Sequence, residues 1–370
     1  MNSVDPSSQQ ATYLDADRRA YFDALTTGFC RAAQAVGGVE EHTYHLGGHP
    51  VQLRFAGPGL VAPLTRALAH LELAPGPPPA LTVNLWDSVT TGTELPLLVR
   101  DLVDLLRLRW FERLDGRHEI KGYDSRQIRT TFHLGPDILS ALDTARDTAV
   151  YWVNDAAALP YYERGYPLQN ILNWWAESRG LHFVHAGAVG RVSGGALVAG
   201  AGGAGKSSTC LTCGLAGVAF AGDDYSLVTL DPAPYAYSLY NTSKLRAEVE
   251  LNRYPTIRPW LANGDRLADE KPMFYFHEHL PDRVAVGFPL QAILLPHVTG
   301  QRDTWLEPAA PMTAFRLIAP STLLQLSGTG QRAFHLLSRL VRRVPAYSLH
   351  LGTDTEQIPR AITALLESLP

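Results

Sequence analysis

The stretch Ala196-Leu-Val-Ala-Gly-Ala-Gly-Gly-Ala-Gly-Lys-Ser-Ser208 holds the residue types with the most definite chemistry in the chain. Its apolar opening is rich in strand formers, and Gly200 to Ser207 then match G-x-x-x-x-G-K-[ST], the pattern of a phosphate-binding P-loop. Across Gly200, Ala201, Gly202, Gly203, Ala204 and Gly205 the backbone can coil so that successive N–H groups point into one concavity. A helix starting near Lys206 adds the positive end of its dipole. Lys206 would reach the outer phosphates, the Ser207 hydroxyl would sit on Mg²⁺, and Ser208 completes the run. The predicted ligands are ATP and Mg²⁺.

The same glycines permit a rival. Gly200, Gly202 and Gly205 also satisfy G-x-G-x-x-G, and Asp223 or Asp224 lies near the distance at which a dinucleotide fold places its ribose-binding acid. A Lys-Ser pair directly after the third glycine has no task in a dinucleotide turn, whereas a triphosphate with its metal needs both, so the P-loop reading is preferred. Phosphoryl transfer needs the phosphates held, the metal placed, the nucleophile oriented and the spreading charge countered. Asp223-Asp224 ends an apolar strand expected to run beside the P-loop strand. One carboxylate can complete the metal shell, together with Ser207, and the other can accept a proton from a hydroxyl. His185 precedes the loop on the adjoining strand as a polar candidate near the phosphates. Lys244 and Lys271 are candidates for countering transition-state charge. Of 32 lysines and arginines only four are lysines, and Lys244 follows an apolar-to-polar switch at a strand end. No N-K-x-D occurs, which favours ATP over GTP.

His185-Ala-Gly-Ala-Val, Gly200 to Ser208 and Gly222-Asp-Asp-Tyr-Ser-Leu-Val, in that order, resemble the HPr kinase/phosphorylase family, whose P-loop core is shared with phosphoenolpyruvate carboxykinase. The likeness covers roughly Gly180 to Leu369. It implies an ATP-dependent serine kinase, with Asp223 as the metal-side acid, Asp224 as general base and His185 near the phosphate. The basic segment with which HPr kinases handle their protein substrate has no counterpart here, which points to another hydroxyl-bearing peptide, protein or small molecule as acceptor. A nucleotide-binding regulator without phosphotransfer is the alternative.

The elements that must position these groups fall into two parts. A chain of 370 residues, 46% hydrophobic, predicts two domains: an α+β unit over 1–160 and an α/β P-loop kinase domain over 161–370. In the first, the spacing predicts a helix over Asp15–Val36 after a loose start of roughly ten residues. His42, His45 and His49 read as loop and turn histidines, Val51–Phe55 as an edge strand, and Leu60–Leu73 as a helix. After the stiff Ala74–Pro79 connector come a strand to Trp86, a helix over Leu97–Leu114, and strands over Gln127–Leu134 and Asp147–Val153. A helix over Tyr161–Gly180 would pack Trp174 and Trp175 between the domains. In the second part, Leu181–Val189 and Gly195–Ala199 form a hairpin into the P-loop, Val218–Val228 is one strand, and Leu290–Leu295 another. A helix over Ser321–Val341, a strand over Tyr347–Leu351 and a helix over Ile358–Leu369 complete it.

A net charge of −4 gives no footprint for nucleic acid, and no basic segment followed by an apolar core opens the chain. Three cysteines are too few for a disulfide framework, and Cys210-x-x-Cys213 reads as helix packing. A cytoplasmic protein without a membrane partner is expected, with self-association left open.

Overall fold

The computed structural model describes residues 6–74, 76, 78–246, 248–325 and 330–369. It is a mixed α/β structure built on two large sheets. The first comprises β1 (Glu40–Leu46), β2 (His49–Ala56), β3 (Glu72–Leu73), β4 (Leu81–Asp87), β5 (Ile128–His133), β6 (Ile138–Asp143) and β7 (Thr148–Val153), in spatial order β3-β1-β2-β4-β7-β6-β5. The contacts of β4 with β2 and β7 are parallel and the others antiparallel. The helices Pro6–Ala35 and Leu97–Arg113 cover one face through Phe22, Leu25, Phe29, Val99 and Val103.

In the second half come β8 (His182–Val184), β9 (Gly187–Arg191), β10 (Gly194–Val198), β11 (Ala219–Gly222), β12 (Ser226–Thr229) and β13 (Tyr235–Tyr237). They are followed by β14 (Thr242–Lys244), β15 (Met273–Tyr275), β16 (Gly287–Val298), β17 (Trp305–Ala309) and β18 (Ala346–Leu351). Nine of these form one sheet whose path runs β11-β9-β10-β16-β13-β12-β8, with β18 joined to β16 and β17 to β18. The ends of that path are tied by very short connections, His185-Ala186 between β8 and β9 and Asp223–Tyr225 between β11 and β12. A few residues span little distance, so the sheet curls until its ends meet. The Ser226 hydroxyl closes the seam by donating to Ala186 O at 3.0 Å. β16 is apolar from Ala292 to Leu295, where both faces are covered: Ala292 and Leu294 meet the helix Lys206–Leu215 and its neighbours, while Ile293 and Leu295 meet Pro311–Gln325 and Gly330–Arg343.

One hydrophobic cluster runs through both halves. Val51, Leu53 and Phe55 of β2 and Tyr151 of β7 belong to it, as do Phe183, Tyr225, Tyr240 and Tyr275. Trp174 and Trp175 are buried in it; Arg129 lies over the first at 5.2 Å, and the indole of the second donates to Ala80 O at 3.2 Å.

Several expectations are corrected. β2 is an interior strand, since β4 pairs its far side. His42 and His45 lie on β1 and His49 opens β2; His42 bridges Glu40 and Glu72 at 2.8 and 2.9 Å. The helix at Pro6 already takes up part of the start expected to be loose, residues 1–5 lying outside the described chain. Leu60–Leu73 resolves into a short α-helix, a 3₁₀ turn and β3. Tyr161–Gly180 is two helices, Tyr161–Gly165 and Gln169–Glu177, broken at Pro167 and at Leu168, whose φ is +59°. Ser321–Val341 likewise spans the end of one helix and most of another, with 326–329 outside the described residues. β6 was not expected, because Ile138–Asp143 is buried throughout and so lacks polar alternation. Among the described residues no helix is long and apolar enough to cross a membrane.

Candidate phosphate-binding site

β10 runs into the loop Ala199–Gly205, and the helix Lys206–Leu215 starts directly after it, so the glycines lie where strand must become helix. Gly203 and Gly205 take φ of +83° and +107°, a region that residues with a Cβ seldom occupy. Lys206 is buried, and its ammonium donates to Gly200 O at 2.9 Å and Ala201 O at 3.4 Å, which curls the side chain back over the loop. A cleft of about 590 Å³ opens here, lined by Gly202, Gly203, Lys206, Ser207 and Ser208 on the loop side.

The opposite wall is the seam of the curled sheet. Val218–Val228 is not one strand beside the P-loop strand; it is two, β11 and β12, and β9 separates β11 from β10. Asp223 and Asp224 fall in the break between them. That break solves the problem that adjacent strand residues face opposite ways. Leu181–Val189 is broken in the same manner, and the β8–β12 register, which pairs Val184 with Ser226, brings His185 alongside Asp224 and Tyr225. His185 Nε2 meets Asp224 Oδ1 at 2.7 Å, its ring stacks on Tyr225 at 5.3 Å, and its backbone N–H donates to the Thr322 hydroxyl at 3.1 Å. Gly187, one turn on, admits no Cβ, which would collide with Cys210 Sγ and Asp223 O. Cys210 and Cys213 are buried free thiols on the P-loop helix, pushed up by burial and held away from thiolate chemistry.

The two lysines arrive on the ribbon β14–β15, where Lys244 pairs with Met273 and Lys271 stands just before that strand. Lys244 Nζ lies 3.2 Å from Asp224 Oδ2 and 4.0 Å over the ring of Tyr166. Lys271 lines the cleft but is exposed.

The neighbouring carboxyls have opposite electrostatics. Burial and the charge of Asp224 push Asp223 up to about 6, against the Lys244 amide, which donates to Oδ2 at 2.8 Å, and the Ser207 hydroxyl facing it. For Asp224, burial alone would raise the value, but the His185 and Lys244 contacts outweigh it and hold the group far below the usual carboxylate range. Asp223 Oδ1 is buried without a hydrogen-bond partner. An orphaned carboxylate oxygen beside the Ser207 hydroxyl is a hard oxygen pair of the kind that magnesium takes alongside phosphate oxygens, so the residues fit that ion. Among the described residues no group of three or more His, Cys, Asp or Glu forms an all-protein metal site.

Every residue proposed from sequence therefore lies at or directly behind one cleft: Gly200–Ser208 on one wall, His185, Asp223 and Asp224 on the other, Lys244 and Lys271 between. Sequence reasoning missed Tyr166, which supports Lys244, and Arg246, Glu250 and Arg253, which line the same cleft. Arg246 follows Lys244 at the strand spacing that shares a face, a signal that was available.

No protein-family model and no curated protein matches the chain. Among solved structures it is similar to the Hpr(Ser) kinase/phosphatase from Coxiella burnetii at 9% identity, over 49% of this chain and 93% of that one, with a TM-score of 0.29. A likeness so faint bears on neither reaction nor substrate.

Proposed function

We propose that this protein is an ATP- and Mg²⁺-dependent phosphotransferase of the HPr kinase-like type, acting on an alcohol, in the first place a serine of a peptide or protein. The observation that carries this reading is Asp224, a half-buried carboxylate kept ionised by His185 and Lys244, facing Lys206 and Ser207 across one cleft.

In this reading Lys206 leaves its loop carbonyls for the β- and γ-phosphates, while Ser207 and Asp223 hold the metal. A magnesium ion held by Ser207 and Asp223 would neutralise negative charge on the bound nucleotide. Asp224 accepts the acceptor's hydroxyl proton as that oxygen forms its bond to the γ-phosphorus. The bond from the γ-phosphorus to the β–γ bridging oxygen breaks, and ADP leaves with the electron pair. A strongly acidic Asp224 is a weak base, but in a loose transition state the hydroxyl is deprotonated late and needs orientation more than basicity. Lys244, drawn to the transferring phosphoryl group, also gives up part of its hold on Asp224 and so raises its basicity at the moment of transfer.

The test is incubation with γ-labelled ATP and host lysate, wild type against Asp224→Asn. A labelled acceptor that needs Asp224 supports the reading. Transfer by the variant at the wild-type rate refutes the base; tight ATP binding with no label transferred would identify a nucleotide-dependent regulator instead.

A further inference from the structure

Arg246 lines the phosphate cleft, and none of the chemistry assigned to that cleft uses it. It follows Lys244 with Leu245 between them. Leu245 is buried with Cys210 and Leu211 of the P-loop helix, and its N–H donates to Pro272 O at 3.0 Å, which keeps the chain beside the segment leading into β15. With Leu245 packed in the core, Lys244 and Arg246 both face the cleft, about 6.6 Å apart along an extended chain. The Arg246 backbone N–H donates to Glu250 Oε2 at 2.9 Å. Its guanidinium rests on the loop: a Cβ on Gly203 would stand 3.0 Å from Arg246 Nη1 and 3.9 Å from its Cζ. Building on the phosphotransferase reading, we propose that Arg246 donates to the γ-phosphate and the β–γ bridging oxygen of bound ATP and stabilises the charge that grows there during transfer, an arginine finger supplied by the same chain.

Lys206 is engaged by two loop carbonyls and Lys244 by Asp224, whereas among the described residues no carboxylate pairs with the Arg246 guanidinium, on an exposed residue at the cleft. A planar fork of N–H donors fits two phosphate oxygens at once, which an ammonium cannot do. Position selects the phosphate. From one stretch of chain, Lys244 reaches the Asp224 wall and Arg246 the loop wall, and the group in transit must touch both, since the loop holds it at the start and Asp224 orients the hydroxyl that receives it. As the bond from the γ-phosphorus to the bridging oxygen breaks, its electron pair stays on that oxygen and leaves with ADP. The acceptor oxygen forms its new bond to phosphorus, and its proton passes to Asp224. Arg246 makes and breaks no covalent bond; its hydrogen bonds strengthen as the bridging oxygen becomes more negative. Gly203 is then needed twice, for its φ of +83° and for the room its missing Cβ leaves the guanidinium.

The test compares the full-length wild type with Arg246→Met and Arg246→Lys, in calorimetric titrations with magnesium ADP and with magnesium ATPγS, which keeps the bridging oxygen, and in the lysate labelling assay with γ-labelled ATP. Arg246→Met should weaken ATPγS by at least about tenfold while changing ADP by less than about threefold, because only the former carries the γ-group. Its labelling rate should fall by at least about a hundredfold. Arg246→Lys, which keeps the charge without the fork, should recover only part of that rate. A purely structural role would weaken ADP and ATPγS alike, since the loop holds phosphates common to both, and that result overturns the proposal. So does an Arg246→Met protein that keeps the wild-type ratio of the two affinities. Failure of the kinase reading looks different: a wild type that binds both nucleotides and labels nothing ends that reading, while the affinity ratio still decides for or against Arg246 as the γ-phosphate contact. A wild type that binds neither nucleotide overturns both.

Discussion

The phosphate cleft and the cavity lined by Tyr151 and Glu163 each largely remove a carboxyl group from water, and the protein treats the two in opposite ways. Asp224 has an imidazole at 2.7 Å and an ammonium at 3.2 Å, and remains an anion although it is largely removed from water. Glu163 has one phenol for company and is pushed up to about 7. Burial acts on both; what differs is the cation placed beside them. Asp223 shows the intermediate case within the cleft itself. It receives an amide and a hydroxyl but no ammonium of its own, and its free oxygen is where a metal ion would do for it what Lys244 does for Asp224.

Removing the fixed charges of the cleft breaks this comparison most severely. Lys206→Ala and Asp224→Asn should each lower single-turnover phosphoryl transfer by on the order of a thousandfold, with thermal melting showing that the fold persists. Asp223→Asn should lose at least about a hundredfold in metal affinity, read by magnesium titration of nucleotide binding, while affinity for metal-free nucleotide changes little. Equal loss in both would place Asp223 in the scaffold and not in the metal shell.

The two lysines sharpen the contrast. Lys244→Met should lower turnover by roughly a hundredfold, and Lys271→Met, on an exposed side chain without a carboxylate contact of this kind, by less than about tenfold. The pH profile adds a sign. Asp224 must be ionised to work, and loss of Lys244 raises its pKa, so the acid limb of the Lys244→Met profile should move to higher pH. An unmoved limb, with the same drop in rate, would mean that Lys244 acts on phosphate alone.

The site was more legible in the sequence than the scaffold carrying it. Gly200–Ser208 has a pattern dictated by local backbone chemistry, and a local pattern can be read locally. Asp223, Asp224 and His185 were found for the same reason, but the account of how they meet was not. A single strand over Val218–Val228 cannot direct two adjacent carboxylates to one place; the break at Asp223–Tyr225, matched by the break at His185-Ala186, does so only because the sheet curls to bring its ends together. That closure rests on pairings between residues far apart in the chain, such as Val184 with Ser226, which no periodicity announces. Tyr166 was missed because its task, lying beneath Lys244, exists only after two helices have formed where one was expected. Nothing in Tyr161-Tyr-Glu-Arg-Gly165 singles out Glu163, because the contact that sets it apart, with Tyr151 of β7, forms only in the folded chain.

The smallest effect concerns Glu163. Its folded-state pKa of about 7 lies above the ordinary glutamate value of 4.5, so the folded protein holds a proton that the unfolded chain gives up more readily. The stability this contributes is complete below about pH 4.5 and is lost as the pH rises through 7. At 1.36 kcal/mol per unit, the upper bound on the loss is roughly 3 kcal/mol, a few degrees in melting temperature for a chain of this size. Glu163→Gln has no proton to lose and keeps its amide at every pH. Melting temperatures of the two proteins, compared from pH 4 to pH 8, should therefore diverge in favour of the variant as the pH rises. Asp223, also raised, titrates in both proteins and cancels in the difference. A difference that stays flat across this range would mean that a cation already accompanies Glu163 in the folded protein, and the contrast with Asp224 would vanish.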